Sequence, residues 1–394
     1  MTPLTISGFT LTNALGQGND ATLSALQAGR SGLRHCDLDD IDLKTWIGRV
    51  EGIESTDLPD AFIDYDCRNN RLAYLALQQD NFLESVVRAI SDYGADRIGI
   101  FMGTSTSGIA MTENAYLQQD SNGHLRGDYN PDKTHNVFSC TSFPRTLLGL
   151  RGPALAISTA CSSSAKVFAT AHRYISAGLC DAAVVGGVDS LCMTTLYGFS
   201  SLDLISTSPC RPWDVDRQGI NIGEAAGFAL LERTDAAPSG PRLLGYGESS
   251  DAYHMSTPHP EGSGAALAMR QALERSGITS KEIDYINLHG TATPANDLAE
   301  DMAVVACFGE QVSCSSTKGF IGHTLGAAGV TEAIISLLCL ESGLIPQNLQ
   351  TEKPDPALHA NLSLATERRA LNFTMTNSFG FGGNNCSLVF GQSQ

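Results

Sequence analysis

The sequence is poor in charged and aromatic residues: 17% of its 394 residues are charged and 7% are aromatic. Without an apolar run long enough to cross a bilayer, we expect no membrane segment. The N-terminus lacks the basic start and apolar stretch of a signal peptide, so we expect a cytoplasmic protein. Hydrophobic residues make up 42% of the chain, and the length predicts two domains or two fused halves.

Positive charge is scarce as well. The chain has 25 lysines and arginines against 42 aspartates and glutamates, a formal net charge of -17. This balance argues against nucleic-acid binding, which needs a basic surface. An acidic partner would dock only where the few basic residues cluster.

Metal-binding cysteine patterns are missing too. None of the eleven cysteines forms a C-x-x-C pair or a cysteine–histidine cluster with zinc spacing, so we expect no metal site. Most lie in apolar stretches and are typical of buried, reduced thiols. Cys161 differs, because it stands where a predicted strand meets a predicted helix.

Short apolar runs alternate with helix-like stretches, which predicts an α/β fold with largely parallel or mixed sheets. The predicted strands are 97–103, 154–159, 182–187, 227–232, 283–290, 312–317 and 385–391. The predicted helices are 69–90, 162–177, 263–276, 296–308 and 325–342.

Two similar halves are the predicted organisation. The polar, Pro- and Gly-rich segment 232–245 predicts a boundary, with an N-terminal half over 1–240 and a C-terminal half over 241–394. The strand–loop–helix pattern of "ALAISTACSSSAKVF" recurs loosely in "VSCSSTKGFIGHTLGAAGVTEAI". Segment 104–150 has no clear period, so we interpret it as an insertion that forms a cap or a dimer contact.

Cys161, in "STACSSSA", is a candidate nucleophile. A thiolate at the start of a helix is stabilised by unpaired amides and by the helix dipole. A second candidate, His289 in "HGTATPANDLAE", ends an apolar strand, and the hydroxyls of Thr291 and Thr293 follow it. The alternative for each is a structural role, as a small turn residue or a core histidine.

Two Gly-rich segments complete the set of motifs. "SSTKGFIGHTLGAAG" carries Lys318 and His323, and Glu332 follows on the next helix. A lysine near a carboxylate can hold a loop or tune a histidine. "NSFGFGGNN" alternates Phe379 and Phe381 with glycines, and such a loop can present an amide to an oxyanion.

In this order and spacing, the four motifs resemble those of β-ketoacyl-acyl-carrier-protein synthases of the elongating type I/II group, in the thiolase-like superfamily. "CRPWDVDRQGINIGEAAG" and "SSDAYHMSTPHPEG" match two further stretches of that family, so the resemblance covers nearly the whole chain. It implies a thiolase-like fold with two similar halves in a five-layered α-β-α-β-α architecture. It also implies a homodimer.

The resemblance implies a decarboxylating Claisen condensation. An acyl thioester on Cys161 reacts with malonyl-acyl-carrier protein to give a β-ketoacyl-acyl-carrier protein, in fatty-acid or polyketide-like biosynthesis such as an aryl polyene pathway. The substrate travels on the phosphopantetheine arm of the acyl carrier protein, and no cofactor or metal is implied.

The resemblance also assigns roles to single residues. Cys161 matches the nucleophile, and His289 and His323 match the pair that promotes decarboxylation. The amides of Cys161 and Phe381 match the oxyanion hole. The other matches are the catalytic-site lysine Lys318, the supporting carboxylates Glu332, Asp297 and Glu300, and the substrate- or phosphopantetheine-binding residues Thr291, Thr293, Thr106, Phe379 and Phe381.

Departures from the family pattern point to a specialised pathway. Ser164 stands where glycine is usual, and Asn384 where threonine is usual. Thr106 occupies the position that limits chain length, and a hydroxyl there predicts a pocket less suited to long saturated chains. Arg68 and Arg71 match part of the carrier-docking patch, which Arg126, Lys133, Arg145 and Arg211 would extend.

Several alternatives remain open at this stage. A thiolase would need a second catalytic cysteine near the C-terminal Gly-rich loop, where Cys386 is the candidate. Type III synthases use a histidine and an asparagine, which the pair of histidines disfavours. A non-catalytic alternative is a chain-length factor that pairs with a synthase and shapes its acyl pocket, but such subunits generally lack the cysteine that this chain keeps. The active half of a heterodimer with such a subunit is the other alternative.

Overall fold

The computed structural model describes residues 1–39, 41–125, 129–237 and 239–392. Helices and strands alternate along these residues, which confirms the α/β class predicted from the sequence. The strands are β1 (Leu4–Asn13), β2 (Gly16–Gln17), β3 (Leu33–His35), β4 (Trp46–Gly48), β5 (Ile98–Gly103), β6 (Ala154–Ile157), β7 (Ala182–Asp189), β8 (Ile222–Gly223), β9 (Ala225–Arg233), β10 (Arg242–Ser250), β11 (Tyr285–Asn287), β12 (Ser313–Ser315), β13 (Leu344–Ile345), β14 (Glu367–Arg368), β15 (Phe373–Gly380) and β16 (Asn384–Gly391). The α-helices are α1 (Asn19–Gln27), α2 (Arg68–Leu77), α3 (Phe82–Tyr93), α4 (Ile109–Leu117), α5 (Ser139–Leu147), α6 (Ser163–Ser176), α7 (Met193–Ser200), α8 (Ser263–Ser276), α9 (Pro294–Phe308), α10 (Lys318–Ile321) and α11 (Ala328–Ser342).

The main sheet repeats one strand pattern twice. Its order is β12-β11-β15-β16-β10-β1-β9-β7-β5-β6, with β2 attached to β1. In the N-terminal half, β6, β5 and β7 are parallel, and β9 and β1 continue antiparallel. In the C-terminal half, β12, β11 and β15 are parallel, and β16 and β10 continue antiparallel. The halves join where β1 pairs with β10.

The chain passes from one half to the other between β9 and β10, within the segment that the sequence analysis proposed as the boundary. The insertion between β5 and β6 contains α4 and α5, with irregular chain on either side of them. Strand β6 ends the sheet in the order given above, so this insertion lies beside an edge of the sheet.

Helices α6 and α11 form the middle layer. Each packs against strands of both halves, and they also pack against each other. Helices α2, α3 and α5 cover the outer face of the N-terminal strands, and α8 covers that of the C-terminal strands. The result is the five-layered α-β-α-β-α arrangement that the resemblance implied.

Glycine residues let the middle helices approach each other and the sheet closely. A Cβ atom on Gly329 of α11 would lie 2.3 Å from the backbone nitrogen of Ala165 in α6. On the sheet side, Cβ atoms on Gly103 and Gly187 would lie 2.4 and 2.5 Å from atoms of Ser164. Gly103 therefore leaves space for the backbone of Ser164 and Gly187 for its side chain. The Ser164 Oγ accepts a hydrogen bond from the Val330 amide at 2.9 Å.

The segment Leu325–Ser342 is long and apolar enough to cross a membrane by length and composition, which the sequence analysis did not recognise. In the fold, 89% of this segment is buried. It is mostly α11, whose residues from Ala328 to Leu340 are all buried. The apolar composition is therefore that of a core helix, which contacts apolar neighbours on every side.

Substitution Gly329→Ala tests the close approach of α6 and α11. Because the added methyl would overlap backbone atoms of α6, we expect a loss of about 1–3 kcal/mol or more in the free energy of unfolding, measured by urea denaturation. Gly198→Ala in α7 is the matched control, since a Cβ there meets nothing within 4 Å. Equal stability of the two variants would contradict the packing described here.

Candidate active site

Cys161 stands on a tight turn between a strand and a helix, as the sequence predicted. Strand β6 ends at Ile157, Ala160 adopts a positive φ of 52°, and α6 begins at Ser163. The side chain of Cys161 is 6% exposed and lines a cavity of about 370 Å³. This turn brings the sulfur to the wall of a pocket large enough for an extended ligand.

His323 is the nearest imidazole to the thiol. Its Nε2 lies 3.0 Å from the Sγ of Cys161. The amide of Leu325 donates to Nδ1 of the same ring at 3.2 Å, so Nδ1 is an acceptor and the neutral ring carries its proton on Nε2. The ring therefore presents an N–H donor to the sulfur and to the cavity.

His289 completes the pair, and its ring lies 5.4 Å from that of His323, centroid to centroid, at 85°. Although Lys318 is close to His323 in sequence, its ammonium contacts His289. It donates to Nδ1 of His289 at 3.4 Å, to the His289 carbonyl and to Glu332. An ammonium has no lone pair, so the proton of the neutral His289 ring is also on Nε2.

Both imidazoles are neutral in the resting site. Burial, together with the positive charge of Lys318, holds the pKa of His289 and of His323 well below its ordinary value. Burial also raises the pKa of Glu332 to about 7, and Lys318 opposes that rise. The site therefore offers two uncharged N–H donors beside one buried lysine–glutamate pair.

The same three side chains are also close enough to hold a metal ion. The Cys161 sulfur and the ligand nitrogens of His289 and His323 all lie within 4.8 Å of one another. A metal would need the Nε2 lone pairs, whereas the hydrogen bonds at both Nδ1 atoms keep protons on Nε2. The hydrogen-bond pattern thus favours donation to an oxygen or sulfur atom over coordination.

The helix start does not by itself lower the pKa of the Cys161 thiol. Burial raises that pKa to about 11, although the charge of Lys318 and the backbone amides of Phe381 and Cys161 oppose the rise. The expectation of a thiolate stabilised by the helix start is therefore only partly met. The stabilising groups are present, but desolvation outweighs them.

Phe381 lies on a loop that closely approaches the nucleophile. A Cβ atom on Gly380 would lie 2.8 Å from the Thr159 carbonyl oxygen and 3.1 Å from the Cys161 nitrogen, so only glycine fits. Gly382, with φ of 79°, turns the chain back directly afterwards. This path places the Phe381 amide beside the sulfur, where an oxyanion of an attacked thioester would form.

The supporting carboxylates hold the loop that carries His289. Glu300 is 1% exposed and accepts hydrogen bonds from the amides of His289 and Gly290, both at 2.8 Å. Asp297, fully buried, accepts from the Ala292 amide at 3.2 Å. Burial raises the pKa of Glu300 to about 7 and that of Asp297 to about 6. Both act through the backbone and do not line the main cavity.

The main cavity is lined by the residues predicted to bind the substrate arm. The hydroxyls of Thr291 and Thr293 lie 2.9 Å apart on its wall. The Phe379 ring also lines it, 5.9 Å from the His289 ring between centroids. The sequence analysis did not single out Asp251, which lies on the same wall.

An inner cavity of about 180 Å³ begins at Cys161 and is lined by Thr106, Ile109 and Phe381. The Phe381 ring packs against Phe199 at 5.6 Å between centroids, and both residues border both cavities. The sequence analysis gave the hydroxyl of Thr106 as the reason for a pocket less suited to long saturated chains, and that reason is wrong. Its hydroxyl donates to the buried Asp189 at 2.8 Å, so it is already satisfied within the protein wall.

The predicted docking arginines are engaged within the chain. Arg68 pairs with Glu224, which is fully buried, and with Glu54, while Arg71 pairs with Asp66. Neither guanidinium therefore presents an unpaired charge to a partner, and their role in docking stays a prediction.

Two of the other predicted docking residues also form hydrogen bonds within the chain. Lys133 donates to the Tyr65 hydroxyl, and Arg145 donates to backbone carbonyls. Arg126 lies outside the described residues.

Two further residues were missed or left unexplained by the sequence analysis. Asn377 is fully buried and donates a hydrogen bond to Glu300 at 3.2 Å. It therefore helps to hold the carboxylate that binds the His289 loop. The unusual Asn384 accepts a hydrogen bond from Lys166 at 3.1 Å. A polar residue inside a buried strand segment was the available signal for Asn377.

Comparison with known proteins places the chain in a family. Residues 1–237 match the model of the β-ketoacyl synthase N-terminal domain, and residues 242–352 match that of the C-terminal domain. The chain therefore belongs to the β-ketoacyl synthase family, as the motifs indicated.

Individual relatives agree with this placement. The chain is 32% identical to 3-oxoacyl-[acyl-carrier-protein] synthase 2 of Vibrio cholerae, over 98% of each chain. It is 33% identical to the mitochondrial 3-oxoacyl-[acyl-carrier-protein] synthase of Arabidopsis thaliana, over 98% of this chain and 92% of that one. Among solved structures, a complex of a ketosynthase (ApeO) with its chain length factor (ApeC) from Xenorhabdus doucetiae contains a chain 39% identical, with a TM-score of 0.90 and coverage of 99% of this chain and 98% of that one.

The position of Cys386 argues against the thiolase alternative. This residue lies within strand β16, is fully buried, and belongs to the hydrophobic core. Burial raises the pKa of its thiol to about 12. Cys386 does not line the main or the inner cavity, so it is not placed to act as a second catalytic cysteine.

The alkylation rate of Cys161 tests whether burial or the helix start and backbone amides dominate the pKa of its thiol. Because burial raises the pKa of Cys161 to about 11, we expect the thiolate fraction to grow about tenfold per pH unit from pH 7 to pH 9. Iodoacetamide labelling, followed at the Cys161 peptide by mass spectrometry, should rise in parallel. A plateau of the rate below pH 8 would show instead that the helix start and the amides dominate.

Proposed function

We propose that the chain catalyses a decarboxylating Claisen condensation between an acyl thioester and malonyl-acyl-carrier protein. The observation that carries this proposal is one buried cavity in which the Cys161 thiol faces two neutral imidazoles. A thiol can hold an acyl group, and two N–H donors can stabilise the oxygen of an enolate. The relatives named 3-oxoacyl-[acyl-carrier-protein] synthase support the same chemistry.

The first half-reaction is acyl transfer to Cys161. The sulfur attacks the thioester carbonyl, the bond to the carrier's sulfur breaks, and the thiol proton leaves with the carrier thiol. Because burial disfavours the free thiolate, deprotonation is coupled to attack. The amides of Cys161 and Phe381 are placed to hold the oxyanion that forms on the way.

The second half-reaction uses the histidines. Loss of CO2 from the malonyl group leaves its electron pair on an enolate, whose oxygen accepts hydrogen bonds from Nε2 of His289 and His323. The enolate carbon then attacks the Cys161 thioester, a new carbon–carbon bond forms and the carbon–sulfur bond to Cys161 breaks. The sulfur leaves as a thiolate, which takes a proton from water to restore the thiol. Departing CO2 supplies the electron pair, so the condensation needs no separate base.

Single substitutions separate the two half-reactions. We expect Cys161→Ala to abolish condensation and to retain malonyl decarboxylation, because both imidazoles remain. His289→Ala or His323→Ala should lose decarboxylation by about 100-fold or more, while mass spectrometry still detects acylation of Cys161. Normal condensation of acyl and malonyl thioesters by Cys161→Ala would overturn the proposed function.

The partner that delivers the substrates is an acyl carrier protein in this proposal. Cys161 is buried at the wall of the main cavity, which suits a thioester on a flexible arm better than a bulky free substrate. The hydroxyls of Thr291 and Thr293 would bind the phosphopantetheine arm, and Phe379 would pack against it. Phe381, between the main and inner cavities, would separate the carrier side from the acyl side.

We infer that a second chain of the same fold pairs with this one along β6. The main sheet ends at β6, and Leu155 in its centre is 38% exposed. Apolar side chains of the adjoining insertion are exposed as well: Tyr116, Leu117, Val137 and Phe138. An exposed edge with apolar neighbours is a surface that proteins cover by pairing.

The pairing chain is either a second copy or a chain-length factor. A homodimer follows from the family resemblance. The heterodimer is supported by the 39% identical chain, which was solved as part of a ketosynthase–chain length factor complex. Because this chain keeps Cys161 and both histidines, it would be the catalytic member of either assembly.

Leu155→Arg tests the pairing edge. We expect this variant to lower the mass of the assembly in native mass spectrometry, because a charge would be buried at the centre of the interface. Leu364→Arg is the matched control, since Leu364 is 52% exposed and lies outside this surface. Dimers formed only on coexpression with a chain-length factor would identify the heterodimer, and an unchanged mass for Leu155→Arg would contradict the pairing edge.

A further inference from the structure

Asp189 is a fully buried carboxylate beside the inner cavity that has no role in the mechanism above. It is the last residue of β7. In the part of the chain that the structure describes, no lysine, arginine or histidine forms an ion pair with it. Burying an unpaired charge is costly, so the groups that do contact Asp189 must compensate for the lost water.

Those groups come from two loops. On the first, after β5, the hydroxyl of Thr104 donates at 2.5 Å, that of Ser105 at 2.6 Å and that of Thr106 at 2.8 Å. The amides of Ser105 and Thr106 add hydrogen bonds of 3.0 Å. Asp189 therefore holds the whole Thr104–Thr106 segment, of which Ser105 and Thr106 line the inner cavity.

The second loop carries His323. The Gly326 amide donates to Asp189 at 2.6 Å, and the neighbouring Leu325 amide donates to Nδ1 of His323 at 3.2 Å. A Cβ atom on Gly326 would lie 2.7 Å from the Asp189 carboxylate and 2.5 Å from the Ser105 nitrogen. The turn after His323 is therefore pressed directly onto Asp189 and the first loop.

From this geometry we propose that Asp189 is a positioning residue that couples the acyl cavity to His323. This inference rests on the proposed function and deepens it. One carboxylate is hydrogen-bonded both to the wall that an acyl chain would touch and to the turn that sets the His323 ring. A chain that fits the inner cavity leaves this network undisturbed, whereas one that displaces Ser105 or Thr106 also displaces Gly326.

Two functions depend on the same carboxylate as a result. The Thr104–Thr106 wall helps to select the acyl chain, and the Leu325–Gly326 turn keeps Nε2 of His323 aimed at the malonyl oxygen. Asp189 touches neither substrate, so its effect is on rate and selectivity and not on binding of the malonyl carrier.

Asp189→Asn tests this inference, because an amide nitrogen would face donors that need an acceptor. We expect kcat for malonyl decarboxylation to fall by about 10- to 100-fold, as for small misplacements of a catalytic group. We expect KM for malonyl-carrier protein to change by less than about twofold. In a panel of acyl thioesters, the preferred chain length for acylation of Cys161 should shift.

The matched control is Asp301→Asn. Asp301 is 2% exposed and accepts hydrogen bonds from the amides of His359 and Ala360, outside both cavities. If Asp189→Asn folds poorly, Ser105→Ala removes two contacts of the network and should show the same effects at smaller size. Equal decarboxylation and chain-length profiles for the Asp189 and Asp301 variants would overturn the inference. Absence of condensation by the unmodified protein would instead overturn the proposed function.

Discussion

The active site depends on the close packing of the starts of α6 and α11 between the two halves of the sheet. Cys161 lies two residues before α6 and His323 five residues before α11, so the distance of 3.0 Å between them is set by how closely the two helices approach. Gly329 permits that approach, because any side chain there would overlap the backbone of α6. The distance between the Cys161 sulfur and the His323 ring is thus fixed by core packing, which is stiff to small displacements.

Burial at this junction sets the charge states as well. The same low-polarity surroundings that raise the pKa of the Cys161 thiol keep the two imidazoles neutral. A neutral imidazole with its Nδ1 occupied can only donate from Nε2, which suits an enolate oxygen. Lys318 fixes the orientation of His289 through the Nδ1 atom and the carbonyl of that residue, and Glu332 in turn holds the Lys318 ammonium.

The sequence singled out the candidate residues of the site but not their contacts. Motif order picked Cys161, His289 and His323 as candidates, and the structure brings these three side chains together. The sequence could not show that Arg68 forms an ion pair with Glu224, which lies 156 residues away in the chain. The orientation of the Thr106 hydroxyl was missed for the same reason, since Asp189 reaches it only through the parallel pairing of β5 with β7. Long-range partners follow from topology, which local patterns do not encode.

Ser164, which stands where the family usually has glycine, is accommodated by small residues around it. Ser164 is larger than the glycine usual at its position, and its side chain fits because Gly187 leaves space on the sheet side, while Gly103 leaves space for the Ser164 backbone. Its hydroxyl then accepts the Val330 amide, one of the amides at the start of α11 that have no partner within the helix. A larger residue at either glycine would push Ser164 toward α11 and move His323 relative to Cys161.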